Sequence, residues 1–244
     1  MLQKFLLLLV LLFTLVSCQL TETMVIHEDG SGSISISMDL SEMMAFSGEM
    51  MTDSTITKMD TIIPFKYILE EEKDSIAQLS IREQIRLKEL ENYNIHLLTD
   101  PEINQMVIDI FTDFKDVSEA NDLMKAFDET DEFIPGMKMD EDDDSSNETN
   151  VGVNYSFKRG VFKRDSYILD PEKYQVQMDS IKEVESFMSG MTYKLKYTFP
   201  KKIKNSSVED ATYSLDGKTI EMERSFIDYI KNPDIMDLEI ELEK

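Results

Sequence analysis

The chain has 244 residues, 41% of them apolar, with 13 Phe and 9 Tyr, enough to fill the core of one large or two small domains. It carries 25 basic against 49 acidic residues, a formal charge of −24, which repels nucleic acid and anionic lipid surfaces and excludes a nucleic-acid partner as a working reading. One cysteine, Cys18, and two histidines, His27 and His96, leave few metal ligands and few general bases.

Met1-Leu-Gln-Lys4 precedes an apolar run from Phe5 to Phe13 that resumes at Leu15-Val16. A short basic start and an apolar stretch of about 7–15 residues build a secretory signal peptide. The run falls short of the roughly 20 residues that a membrane-spanning helix needs. Leu15-Val16-Ser17-Cys18 resembles the lipobox of bacterial lipoproteins. The resemblance implies that residues 1–17 are removed and that Cys18 is acylated on its thiol and its new amino terminus, so that the membrane is a partner through those acyl chains. No thiol then remains for a disulfide, a nucleophile or a zinc–sulfur site. By resemblance to lipoprotein sorting rules, Gln19 in place of Asp implies the outer membrane of a Gram-negative cell.

From Leu20 to Leu40 the pattern predicts a β-hairpin. Ile34, Ile36, Met38 and Leu40 alternate with Ser33, Ser35, Ser37 and Asp39, the period of a half-buried strand. Glu28-Asp29-Gly30 suits a three-residue loop with Gly30 left-handed, which sets Met24 opposite Ile34. Ser41 is placed to cap a short helix carrying Met43, Met44, Phe46, Met50 and Met51. Thr52 to Asp60 reads as a polar loop. Phe65, Ile68, Leu69, Ile76 and Leu79 share one helical face, and Ser80-Ile-Arg-Glu83 is a capping box opening a helix through Glu91. Tyr93–Leu98 and Met106–Phe114 read as strands around an Asp100-Pro101 turn. Ser118 is read as the cap of a helix with Ala120, Leu123, Met124 and Phe127 as its stripe.

Asp128 to Asn150 holds Pro135-Gly136 and the acidic run Asp140-Glu141-Asp142-Asp143-Asp144. Dense like charge with little apolar content disfavours packing, so residues 131–150 read as a flexible linker between an α+β first half, 18–130, and a β-rich second half, 151–244, that packs with the first. A calcium loop started at Asp140 fails, because Ser145 stands where glycine is needed and Val151 where glutamate is needed. In the second half, Val153, Tyr155 and Phe157 alternate, and Val161–Leu169 returns after Arg159-Gly160. Asp170-Pro171 opens a helix to about Met188, with Gly190 ending it. Tyr193, Leu195, Tyr197 and Phe199 alternate up to Pro200. Asp216-Gly217 is a hairpin turn pairing Tyr213 with Ile220 and Ala211 with Met222. Met236, Leu238, Ile240 and Leu242 form the last strand. The fold class is therefore α+β: mainly antiparallel β-sheet hairpins with segregated amphipathic helices.

Tyr193-Lys-Leu-Lys-Tyr-Thr-Phe-Pro200, the Asp-Gly-Lys-Thr219 turn and the Asp-Gly-Ser hairpin soon after Cys18 resemble LppM-like bacterial lipoproteins over about 40 residues. The tryptophan expected after the last glycine turn is missing. The resemblance implies an α+β envelope domain with an apolar cavity and no assigned activity.

No serine stands in a glycine-flanked nucleophile elbow. His27 and His96 lie on strand patterns, and no pair of acids stands out among the 49. The expectation is a non-enzymatic protein with no cofactor and no metal. The chain holds 17 methionines. Thioethers suit Cu(I), but they also fill cores and line adaptable apolar surfaces. Met43, Met44, Phe46, Met50 and Met51 are thus a candidate hydrophobic groove. Asp53-Ser54-Thr55, Asp60-Thr61-Ile62, Asp74-Ser75-Ile76 and Asp179-Ser180-Ile181 resemble the Asp-Ser/Thr-aliphatic sites that some Gram-negative bacteria O-glycosylate, Thr55 departing from the pattern. Lys194, Lys196, Lys201, Lys202 and Lys204 form a basic island, read as a face balanced by nearby acids or as a contact for the acidic run or for anionic headgroups. The functional expectation is a lipid-anchored envelope protein acting as a binding or assembly module, with an envelope protein as partner. The alternative is a carrier of a lipid or other hydrophobic ligand.

Overall fold

Apolar–polar alternation makes a strand because successive side chains leave opposite faces of the backbone. The computed structural model describes residues 19–42, 44, 57–121 and 150–244, and its first two strands follow this rule closely. β1 (Gln19–Ile26) pairs antiparallel with β2 (Gly32–Asp39), Met24 opposite Ile34. The His27 N–H donates to the Ser31 carbonyl across Glu28-Asp29-Gly30, and Gly30 has φ 86°, a conformation glycine adopts without steric cost.

β3 (Met59–Pro64), β4 (Asn94–Asp100) and β5 (Gln105–Phe114) continue the sheet, β5 lying on β2. β3 corrects the loop predicted to run as far as Asp60. It is a short edge strand without a buried side chain, so it has no buried alternating face to announce it. The helical face predicted over Phe65–Leu79 divides into α1 (Phe65–Glu71) and a single turn, α2 (Lys73–Ile76). Phe65 is buried, but Leu79 is exposed. α3 (Ile81–Glu89) ends in a 3-10 turn, Leu90–Asn92. After β5, Val117–Ala120 is also a 3-10 turn, and its cap is Asp116, whose carboxylate accepts from the Ser118 N–H, rather than Ser118 itself. Leu123, Met124 and Phe127 lie outside the described residues, as does all of the predicted linker except Asn150.

β6 (Val151–Lys158) and β7 (Val161–Ile168) pair around Arg159-Gly160. Both turn residues have positive φ, 55° and 76°, as a two-residue hairpin turn matched to strand twist requires. α4 (Pro171–Met188) starts at Asp170, whose carboxylate accepts from the N–H groups of Glu172 and Lys173. β8 (Thr192–Thr198), β9 (Ile203–Ser206), β10 (Thr212–Tyr213), β11 (Thr219–Ser225), α5 (Phe226–Lys231), a 3-10 turn (Pro233–Met236) and β12 (Leu238–Leu242) complete the chain. β9 and α5 are short and carry no clear periodicity, so the sequence pattern misses both. The β10–β11 register is the predicted one, Tyr213 opposite Ile220. The ladder opens one step early, since the Ser214 N–H bonds the Thr219 carbonyl and Leu215 swings into solvent.

The strands form two sheets, one of eight in the order β10-β11-β8-β1-β2-β5-β4-β3 and one of four in the order β6-β7-β12-β9. The result is an α+β architecture dominated by strand. Pairing is antiparallel except for β1 and β8, which run parallel with Glu22 beside Leu195. That contact joins chain segments on either side of the acidic run into one sheet. The sheets face each other across a core in which the Phe162 ring meets Tyr197 at 5.4 Å and Phe199 at 5.3 Å. Phe65, Leu87 and Leu90 from the helical segment join the same core. α4 rests on α5, where the Tyr174 hydroxyl donates to the Ile230 carbonyl at 2.6 Å and Lys231 pairs with Glu185.

Gly32 opens β2 where a Cβ would overlap the Val25 carbonyl oxygen and the Phe114 ring. Gly32→Ala is expected to lower stability by about 1–3 kcal/mol, the cost of forcing extra volume into a packed site. Urea unfolding of the variant against the parent measures it.

Candidate functional site

Of the residues singled out from sequence, Cys18, Met43, Phe46, Met50 and Met51 lie outside the described residues. Met44 is described: its N–H donates to the Leu40 carbonyl and its side chain is buried. β1 begins at Gln19, immediately after Cys18, in the middle of the larger sheet. Gln19 is flanked by Asp39 of β2 and Thr192 of β8. The edge of the sheet beside Cys18 therefore comprises the start of β1, the end of β2 and the start of β8. The Asp100–Gln105 turn between β4 and β5 lies at the same edge, because Val107 stands opposite Asp39. Among the described residues no helix is long and apolar enough to cross a membrane.

The two faces of β1 and β2 differ in chemistry. The outer face holds an open trough of about 740 Å³. Its floor is Thr21 and Thr23 of β1 with Ser33, Ser35 and Ser37 of β2. One wall is Lys194 and Lys196, which share Glu221 at 2.9 and 3.2 Å. The other is Asp109, Phe111 and Asp113 of β5. Small hydroxyls between long charged side chains leave a polar groove that runs along the strands. A second cleft of about 480 Å³, lined in part by Asp29, Arg159, Lys201 and Lys244, lies at the far end, away from Cys18. Of the basic island, Lys194, Lys196 and Lys204 pair with Glu221 or Glu241, which agrees with a face balanced by nearby acids.

His96 sits on β4, on the same outer face. Its Nδ1 meets the Asp109 carboxylate at 2.9 Å and its Nε2 meets Asp60 at 2.9 Å. Only the imidazolium donates from both nitrogens. The two carboxylate hydrogen bonds, Asp60 first, raise the His96 pKa above the ordinary histidine value despite partial burial. The arrangement fastens the edge strand β3 to β5 through β4. His27 lies at the exposed hairpin tip, its ring 3.2 Å from the Ser31 hydroxyl. Thr61, Ser75 and Ser180 of the Asp-Ser/Thr sites are exposed, whereas Ser54 lies outside the described residues.

The inner face carries a buried ionic cluster. Glu22 is fully buried, and its Oε1 accepts from the hydroxyls of Tyr155, at 2.6 Å, and Tyr197. Its Oε2 accepts from the Tyr193 hydroxyl and, at 3.4 Å, from Arg164 Nη2. A carboxylate offers about four lone-pair sites, and these partners occupy all of them. Arg164 Nη1 donates to Ser166 Oγ at 2.8 Å and to the Met236 carbonyl at 3.1 Å. Its guanidinium also lies 5.8 Å from the Tyr193 ring centre. Burial by itself would raise the Glu22 pKa, but the Arg164 charge and the three phenol donors outweigh it and hold the group below the ordinary value. Burial and the Glu22 charge push all three tyrosines well up. The cluster is sealed from solvent, so its chemistry is to join the sheets. Sequence reasoning did not single it out, although Glu22 shares the parity of Leu20, Met24 and Ile26, and Arg164 that of Phe162.

No known protein family matches the chain, and no curated protein sequence matches it. Among solved structures, the NMR structure of the folded domain of Mycobacterium tuberculosis LppM is similar at a TM-score of 0.39 and 7% identity, covering 93% of this chain and 89% of that one. This is a distant neighbour, and no residue role is carried over from it.

Glu22→Gln leaves Arg164 buried without its counter-charge, and breaking a buried pair in this way costs about 3–5 kcal/mol. A double-mutant cycle with Arg164→Met, read by chemical denaturation, is expected to show strong positive coupling. Because the folded pKa of Glu22 is lowered, its contribution is present above the unfolded carboxyl value of about 4.3 and is lost as pH falls through the folded value.

His96 has the opposite sign. Its raised folded pKa means that its contribution is complete below about pH 6.5 and is lost as pH rises through the folded value. The thermal midpoint of the parent is expected to fall between pH 6 and 9, while that of His96→Gln stays flatter over the same range.

Proposed function

We propose that the chain is an envelope lipoprotein, held at the outer membrane by acyl chains on Cys18, whose body is a non-enzymatic binding or assembly module. The observation that carries this reading is the start of β1 at Gln19, which would join the anchor to the central part of the larger sheet without a spacer. The binding role is supported by the outer face of that sheet, where the hydroxyl floor and charged walls of the trough stand open to solvent. Polar groups placed in this way set orientation and specificity for a partner rather than bulk affinity. The reading needs no cofactor and no metal.

The carrier alternative rests on Met43, Met44, Phe46, Met50 and Met51. Of these, only Met44 is described, and it is buried. The trough on the outer face is lined largely by hydroxyl and charged side chains, which favours the binding module.

Cys18→Ala is expected to leave either an unprocessed form that keeps the signal segment or, once the signal is removed, a soluble form, since stable anchoring takes two acyl chains or more. Full retention in the detergent phase after signal removal would show that Cys18 is not the anchor. For the binding role, a photo-crosslinking residue at Ser35 in the trough is expected to capture a discrete envelope protein in intact cells, and the same residue at Ser180 on α4 is not. Equal labelling from both positions, or none from Ser35, rejects the outer face as the binding surface.

A further inference from the structure

The geometry points to a defined membrane-contact surface: the edge of the larger sheet beside Cys18, with Ile103 at its tip, which we propose seats on a zwitterionic phospholipid bilayer. The inference rests on the anchor reading and adds an orientation to it. Adjacent Cα atoms are 3.8 Å apart, so an acyl chain on Cys18 leaves Gln19 only the reach of the Cys18 side chain and its lipid linker to lift away from the headgroups. Gln19 is held by β2 and β8 on its two sides, which makes the whole edge move with it.

That edge has its own chemistry. The turn from Asp100 to Gln105 projects there, and Ile103 on it is 66% exposed. The turn is built rather than loose. The Asp100 carboxylate accepts from the Glu102 N–H and pairs with Lys58 at 2.5 Å, and the Ile103 N–H bonds the Asp100 carbonyl. Asn104 closes the turn at φ 51°, a conformation that asparagine tolerates better than most residues. An apolar side chain fixed outward beside a lipid attachment point has the acyl–headgroup boundary as its natural environment. Asp39, Glu42 and Glu102 near the same edge disfavour anionic headgroups, so the surface suits zwitterionic lipid. Strands of eight residues at about 3.3 Å each carry the opposite hairpin tips roughly 25 Å outward. The fully exposed Leu215 is on one of those tips.

The composition of the chain allows a direct test. Cys18 is the sole thiol and the chain has no tryptophan. The protein from residue 18 onward is coupled through Cys18 to maleimide lipid in phosphatidylcholine vesicles, once with Ile103→Trp and once with Leu215→Trp. Both positions are exposed, and thermal midpoints matching the parent confirm folding. The expected result is that chain-brominated lipid quenches Ile103→Trp at least threefold more than Leu215→Trp, with a blue shift in emission only for the former. Equal or reversed quenching overturns the proposed surface. Adding phosphatidylglycerol at low salt is expected to reduce the Ile103→Trp quenching, and an increase would overturn the choice of zwitterionic lipid. Chemical coupling imposes the anchor, so a negative result bears on the orientation alone. Native acylation is tested separately by the mass of the amino-terminal peptide from cells.

Discussion

The two sheets are joined through one buried carboxylate. Glu22 lies on β1, between β2 and β8 in the larger sheet, and reaches Arg164 on β7 and Tyr155 on β6 in the smaller one. An isolated charge in that position would be prohibitive to bury. The charge is tolerated because every acceptor site on Glu22 is filled and Arg164 is held in turn by Ser166, Met236 and Tyr193. A hydrophobic replacement of similar volume could match such a pair in stability. What the pair adds is selectivity. Only one register of β1 against β8, and one placement of the smaller sheet, brings Tyr193, Tyr197, Tyr155 and Arg164 to the same carboxylate.

The same strands present contrasting surfaces. Leu20, Glu22, Met24 and Ile26 point inward, while Thr21 and Thr23 point to the open face beside Ser33, Ser35 and Ser37. A sheet of eight strands is wider than the sheet of four that faces it. The helical segment supplies part of the remaining inner cover through Phe65, Leu87 and Leu90. The outer trough stays open, a common condition for antiparallel sheets, whose second face is solvated. A polar trough on a paired sheet is pre-organised, which would lower the ordering cost for a partner at that face.

The topology also gives the molecule two ends. Gln19, Asp39, Thr192 and the turn at Ile103 gather at the end beside Cys18, whereas the tips at Gly30, Gly160 and Gly217 lie away from it or border the far cleft. The end of β2 at Asp39 and the start of β3 at Met59 both lie at the Gln19 end. An acyl group at Cys18 would turn this asymmetry into an orientation on a membrane, with the trough rising along the strands from the bilayer.

Local pattern determined a good deal by itself. The β1–β2 register, the Gly30 loop, the β6–β7 hairpin, the Asp170-Pro171 helix start and the Tyr213–Ile220 register follow from period-two alternation, turn glycines and caps, because these signals act over a few residues. The lipobox resemblance is read in the same way, from four adjacent residues. Tertiary structure alone decided the parallel β1–β8 pair, the edge strand β3 and the split of the predicted Phe65–Leu79 helix. It also decided which acids matter. Among 49 acidic side chains, Glu22 looks like any other charge on a strand, and His96 like any other boundary residue. Their roles depend on groups between 13 and 175 residues away in the chain, and a partner at that distance leaves no periodic trace in the sequence on either side of the residue it binds.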